Sequence, residues 1–133
     1  MRHLDRAFLI AGLAYGAVGM ALGLYMAASN IHVQHVTHAH IMLVGFLLSI
    51  IYAIIHKLWL APSTSWVRRL QFGLHHAGTV FMVSGLFLLY QGIASPATLE
   101  PVLAISSIAV LVALIMMAGF VLMSYQEFEP QTS

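Results

Sequence analysis

Four apolar runs follow one another along the chain, each closed by a short polar break: Ala7–Ser29, Thr37–Leu60, Leu70–Gln91 and Pro101–Tyr125. Each is long enough to cross a hydrocarbon core of ~30 Å as a helix. Backbone groups in lipid must be satisfied within the segment, so runs of this length predict helices rather than strands. Three short connections and brief tails take up what remains. Residues 1–133 therefore read as one domain, an all-α integral membrane four-helix bundle. The opening "MRHLDRAFLIAGLAYG", followed by "MAASN", has the outline of a secretion signal with its cleavage site, and is read here as a retained span. Glu100-Pro101 reads as the start of the fourth helix, with the proline at its first position.

Composition supports the membrane reading. The chain is 61% hydrophobic and 7% charged, whereas soluble domains carry about a quarter charged residues. The five basic residues also set an orientation. Arg2 and Arg6 precede the first span, Lys57, Arg68 and Arg69 flank the second connection, and the other two connections have none. The positive-inside rule then predicts that both termini and the second connection are cytoplasmic; the expected location is a bacterial inner membrane, as a multi-pass protein. A net charge of +1 offers no footprint for nucleic acid. The absence of cysteine removes thiolate ligands and disulfides.

Gly12, Gly16, Gly19 and Gly23 recur at spacings of 4, 3 and 4, which places them on one stripe of the first helix. Such a stripe serves close helix packing, or makes a bed for a flat macrocycle. Met116, Met117 and Met123 of the fourth span read as apolar filler.

The chemistry lies in the histidines, of which there are eight. An ionisable group inside a membrane is costly and marks a functional site by default. His38 and His40, in "HAHIMLVGF", are two residues apart, so on a helix they point roughly 200° away from each other. They cannot meet at one iron or one small ion. A helix of this kind offers one ligand to each of two sites, and the partner ligands would come from a neighbouring copy. His56 follows His40 by 16 residues, roughly 24 Å along the axis, and belongs to a separate level. His75 and His76 lie between the two levels, nearer His56. His32 and His35 occupy the first connection, and His3 the N-terminal tail.

"THAHIMLVGF" resembles the haem-ligand segment of subunit I in the haem-copper oxidase superfamily, with His38, Ala39 and Met42 on the HAxxM pattern. It is closer still to the HAHxMLxGF segment of membrane haem-copper proteins linked to nitric-oxide tolerance, which His38, Ala39, His40, Met42, Leu43, Gly45 and Phe46 all fit. The resemblance implies haem b ligated by His38 and His40, with Met42 and Gly45 beside it. It implies copper as a second cofactor, because "LHHAGTVF" resembles the adjacent histidines that bind copper in the oxidases. Metal ligands on this view are His38, His40, His56, His75 and His76. Oxidase subunit I has three pseudo-equivalent groups of four helices. A single four-helix unit therefore implies a homo-oligomer, with a trimer preferred.

The resulting expectation is a b-type haem protein for electron transfer or the handling of O2 or NO, with haem between second helices of adjacent copies. Quinol or a cytochrome would be its redox partner. Two closed axial positions favour electron transfer, an open one gas chemistry, and the residues leave enzyme and carrier both open. The alternatives are a monomeric quinol-linked cytochrome b with haem between the second and third spans, a non-enzymatic copper or zinc protein using His32, His35, His38 and His40, and a structural subunit.

Overall fold

The computed structural model describes residues 4–63 and 65–128, with side chains described through residue 124. Arg2, His3 and the end of the polar C-terminal tail lie outside the described residues. Among the described residues there are four helices and no strand: α1 (Leu4–Ser29), α2 (His35–Leu58), α3 (Trp66–Tyr90) and α4 (Pro96–Phe128). All four are long and apolar enough to cross a membrane. The end of the bundle that carries Arg6, Lys57, Arg68 and Arg69 is the basic end, and the end that carries His32 to His40 is the histidine end.

Local chemistry fixes the helix ends. Asn30, at φ 57°, takes the left-handed conformation that ends α1, and asparagine is one of the few residues other than glycine that tolerate it well. Ser65 caps α3, its Oγ accepting from the Val67 N–H at 3.3 Å. α3 ends in a Schellman turn: Gly92 adopts φ 69°, its N–H donates to Leu89 O, and the Ile93 N–H donates to Leu88 O. The start of α4 differs from expectation. Ser95 accepts from the Thr98 N–H through its Oγ at 3.3 Å, so Pro96 takes the first helical position and Pro101 lies inside the helix.

α2 is not uniform. His35–His40 and Leu48–Leu58 are α-helical, and Ile41–Leu47 between them is a π-helix. Its partner supplies a reason. The glycine stripe of α1 is filled by side chains of α2 in antiparallel register. Gly23 faces His38, Gly19 faces Met42 and Ile41, Gly16 faces Phe46, and Gly12 faces Ile50 and Ser49. The two halves of the seam differ in length, since Gly12 to Gly23 spans 11 residues and His38 to Ile50 spans 12. A π segment, with its i→i+5 bonds, takes up one extra residue without turning the stripe away from α1. The stripe is thus a packing surface, and its groove is occupied by α2 rather than open to a macrocycle. Gly45 works in the opposite sense, admitting the Tyr15 ring of α1 into α2.

α3 packs on α4 through a second small-residue face. Gly78 meets the Ser106 carbonyl, Val110 and Ala109, and Gly85 meets Leu103. At the histidine end α2 and α3 come close, and two buried polar residues join them. Gln34 Nε2 donates to Phe87 O at 3.2 Å, and Thr37 Oγ1 donates to Gln34 Oε1 at 2.6 Å. Toward the basic end the α2 and α3 backbones part, and large side chains fill the gap. Phe8, Tyr52, Ala53, Leu60 and Met117 form the buried core there, flanked by Phe72 and Phe120. Met117 is the buried filler expected of the α4 methionines, while Met123 is exposed.

Candidate functional site

His38 sits in the α1–α2 seam. Its ring lies on Gly23, and its Nδ1 is 2.8 Å from the Gly19 carbonyl. Two residues on, His40 turns away from α1, and its Nδ1 is 2.9 Å from the Val36 carbonyl of its own helix. A carbonyl only accepts, so in both rings Nδ1 carries the hydrogen and Nε2 carries the lone pair. Fixing one ring nitrogen on a carbonyl, with the other left to bind, is the arrangement found behind most metal-ligating histidines. Both rings are half-buried. His40 heads an exposed apolar stripe of α2: Leu43, Leu47, Ile51, Ile54 and Leu58. The two imidazoles therefore serve different surfaces, as their spacing requires. Met42 and Gly45, implied to line a cofactor, both face α1: Met42 against Gly19 and Gly45 against Tyr15.

His32 and His35 are exposed at the start of α2. His35 Nδ1 donates to the His32 carbonyl at 3.0 Å, and its ring lies 6.1 Å from that of Tyr90. Among the described residues, no three His, Asp or Glu side chains converge as they would on a single ion. The histidine-end quartet is thus not gathered into one copper or zinc site within the chain.

The second group lies inside the bundle, around Phe8. His56 stacks on that ring at 5.4 Å, Tyr52 and Phe72 meet it edge-on, and His75 and His76 lie tilted against it at 5.9 and 5.3 Å. His75 and His76 are neighbours in space as in sequence, with ring centroids 4.8 Å apart. Each has one nitrogen engaged. Ser49 Oγ is 2.9 Å from His75 Nε2, and Tyr15 OH is 3.3 Å from His76 Nδ1. The tyrosine reaches α3 by passing over Gly45 of α2, so the glycine of the "HAHIMLVGF" segment acts on His76 at second hand.

Phe8, Gln34, Thr37 and Gln71 belong to these sites and carry no motif. The sequence signal for the inner group is a polar stripe in an apolar run: Ser49, Tyr52 and His56 on α2, and Gln71, His75 and Thr79 on α3, at helical spacing. For Phe8 there is no such signal.

No family model, no curated protein and no solved structure matches this chain.

Gly23 offers a test of how His38 is held. A Cβ at this position would come within 2.9 Å of His38 Cε1 and 3.3 Å of Nδ1. Gly23→Ala should push the ring off α1 and break its bond to Gly19. If His38 is a ligand, losing such a supporting contact weakens binding ~10–100-fold. Haem titration of wild-type and variant protein checks this, and equal affinities would remove His38 from the ligand set.

Proposed function

We propose that this chain is a membrane b-type haem protein related to haem-copper oxidase subunit I. Haem lies between α2 helices of neighbouring copies, a trimer being the preferred assembly. The observation that carries the reading is the pair of Nδ1–carbonyl bonds at His38 and His40, which present two ligating Nε2 atoms on different sides of one helix. The donor set suits haem iron, for which imidazole is a standard axial ligand. When bound, haem would supply one-electron transfer, or O2 or NO chemistry where an axial position is free. The chain's own part is structural. Gly19 and Gly23 bring His38 against α1 and fix its tautomer. The exposed stripe below His40 gives a second copy an apolar face to pack on.

A haem held between α2 and α3 of one copy has less support. The space between the histidines there is taken by Phe8, Tyr52 and Phe72, which are packed ring against ring. Copper at His75 and His76 has the two free nitrogens, His75 Nδ1 and His76 Nε2, and no third ligand converging on them among the described residues.

The test is direct. Protein expressed with ample haem and purified in mild detergent should show a Soret band and carry iron by elemental analysis. A colourless protein, or one carrying copper or zinc in place of iron, rules the proposal out.

A further inference from the structure

Two hollows open at the basic end of the bundle, and Asp5 of α1 and Lys57 of α2 line both. The smaller, about 140 Å³, is also lined by Ala61 of the α2–α3 connection and by Arg68 of α3. The larger, about 450 Å³, is an open furrow between α1 and α2, where Arg6 and Lys57 stand with Leu9, Ala53 and Ile54. Charge and hydrocarbon are sorted along it. Arg6 comes three residues before Leu9 on α1, and Lys57 three and four residues after Ile54 and Ala53 on the antiparallel α2. On each helix the cation therefore stands one turn nearer the basic end than the apolar residues.

The surroundings set the depth of this end in a bilayer. Trp59 and Trp66, both more than half exposed, stand on either side of the α2–α3 connection, and tryptophan settles at the headgroup level. Arg68 is held in place there: its Nη1 donates to the Ala61 carbonyl, and its guanidinium lies 5.9 Å from the centre of the Phe120 ring. A furrow open to a bilayer fills with hydrocarbon, because an empty one forfeits the van der Waals contacts of its lining. Its end carries three cations, Arg6, Lys57 and Arg68, against the single carboxylate of Asp5. Basic pockets between spans select anionic lipid headgroups.

We propose that the basic end of the α1–α2 furrow binds one anionic glycerophospholipid per copy. An acyl chain lies along Leu9, Ala53 and Ile54, and the phosphate sits between Arg6 and Lys57, within the field of Arg68. Asp5 opposes the phosphate and limits its affinity. Ile54 also belongs to the apolar stripe of α2 headed by His40, so the lipid lies at the far end of that stripe, roughly 20 Å from His40. The site draws on neither haem nor the ring of His56, which also lines the smaller hollow.

The test is native mass spectrometry of the detergent-purified protein, titrated with dioleoyl phosphatidylglycerol or with dioleoyl phosphatidylcholine. One phosphatidylglycerol per copy should be retained, about tenfold or more tightly than phosphatidylcholine, since each basic residue at a membrane surface contributes about fivefold. Arg6→Ala and Lys57→Ala should each weaken phosphatidylglycerol by about fivefold, whereas Lys57→Arg should keep it and Asp5→Asn should tighten it. Arg6 and Lys57 are exposed, so neither alanine disturbs the packing. Arg69→Ala is the control: Arg69 is exposed at the same end yet lines neither hollow, and its loss should leave binding unchanged. Equal retention of the two lipids, or a loss in Arg69→Ala as large as in Lys57→Ala, would mean that no site selects the headgroup. Displacement by millimolar glycerol 3-phosphate would mean a soluble phosphate ligand, and lipid on assembled copies alone would mean that a second copy closes the furrow. Each of these results overturns the proposal. Haem-free protein serves equally, so a failure here leaves the haem proposal standing.

Discussion

On the proposed sharing of haem between copies, alanine at His38 alone, or at His40 alone, should abolish two-histidine ligation at every haem rather than at half of them. The reason is the helix itself. Rings roughly 200° apart on one axis cannot reach the same iron, and the structure turns His38 toward α1 and His40 away from it. If each copy gives one ligand to each of two shared sites, every site holds one His38 and one His40. Losing either kind then strikes all sites equally, and the low-spin spectrum of a doubly ligated iron gives way to a high-spin one. Two separate sites within the chain would behave otherwise, each single variant keeping half of the low-spin signal. The double variant should lose the Soret band and, with it, the bridge between copies, which light scattering on the detergent-solubilised protein will show as a fall in mass. The protomer itself should survive. His38 contributes one hydrogen bond to the α1–α2 seam, worth about 1 kcal/mol. Retention of half the low-spin haem in both single variants would exclude the shared-site arrangement.

That prediction draws on features that were unequally visible in the sequence. The four spans were legible because an apolar run of membrane length has little choice but to be a helix, and the helices match the runs within a few residues. The start of α4 was not. "SPATLEP" holds two prolines that could each open a helix, and the choice fell to the Ser95 cap on Thr98, a contact that hydropathy does not register. The opposed directions of His38 and His40 follow from spacing alone. What each faces does not, because a glycine stripe announces a close neighbour without saying which. Here the neighbour is α2 itself, and the HAHIMLVGF segment is its matching half. Met42 and Phe46 are knobs for Gly19 and Gly16. The π-helix was hidden for the same reason. It answers a mismatch between 11 residues on α1 and 12 on α2, which exists only once the two are paired. The inner cluster was half legible, its histidines and tyrosines standing out against apolar surroundings while Phe8, at its centre, looks like any core residue.

The seam also links the two groups of histidines. Tyr15 lies in α1 between Gly12 and Gly16, crosses Gly45 of α2 and ends on His76 of α3. Any change that opens the α1–α2 contact at this level disturbs the inner cluster as well. Positions of the seam nearer the histidine end act on His38 instead. One helix pair thus positions both candidate sites.

Gly45→Val should therefore be among the most damaging single substitutions in the chain. A Cβ at this position would stand 2.8 Å from Tyr15 Cγ and 3.0 Å from Tyr15 Cβ. These atoms are near the α1 backbone and cannot swing aside as the tip of a long side chain can. Either the helices separate or Tyr15 leaves its place, giving up the contact with His76. Overpacking of this kind costs about 1–3 kcal/mol, and the two further methyl groups of valine add to it. Thermal unfolding in detergent should show a clearly lowered midpoint for Gly45→Val. The cause can be isolated with a second change. Tyr15→Ala removes the atoms that a larger side chain would strike, so the double variant should be more stable than the sum of the two single losses predicts. Coupling of residues in contact is typically 0.5–3 kcal/mol. Gly73→Ala provides the control, since nothing lies within 4 Å of its added Cβ. It should be neutral, or gain up to about 1 kcal/mol from better helix propensity. Additive losses for Gly45→Val and Tyr15→Ala would mean that the glycine does not serve the tyrosine, and the connection between the motif segment and His76 would fail with it.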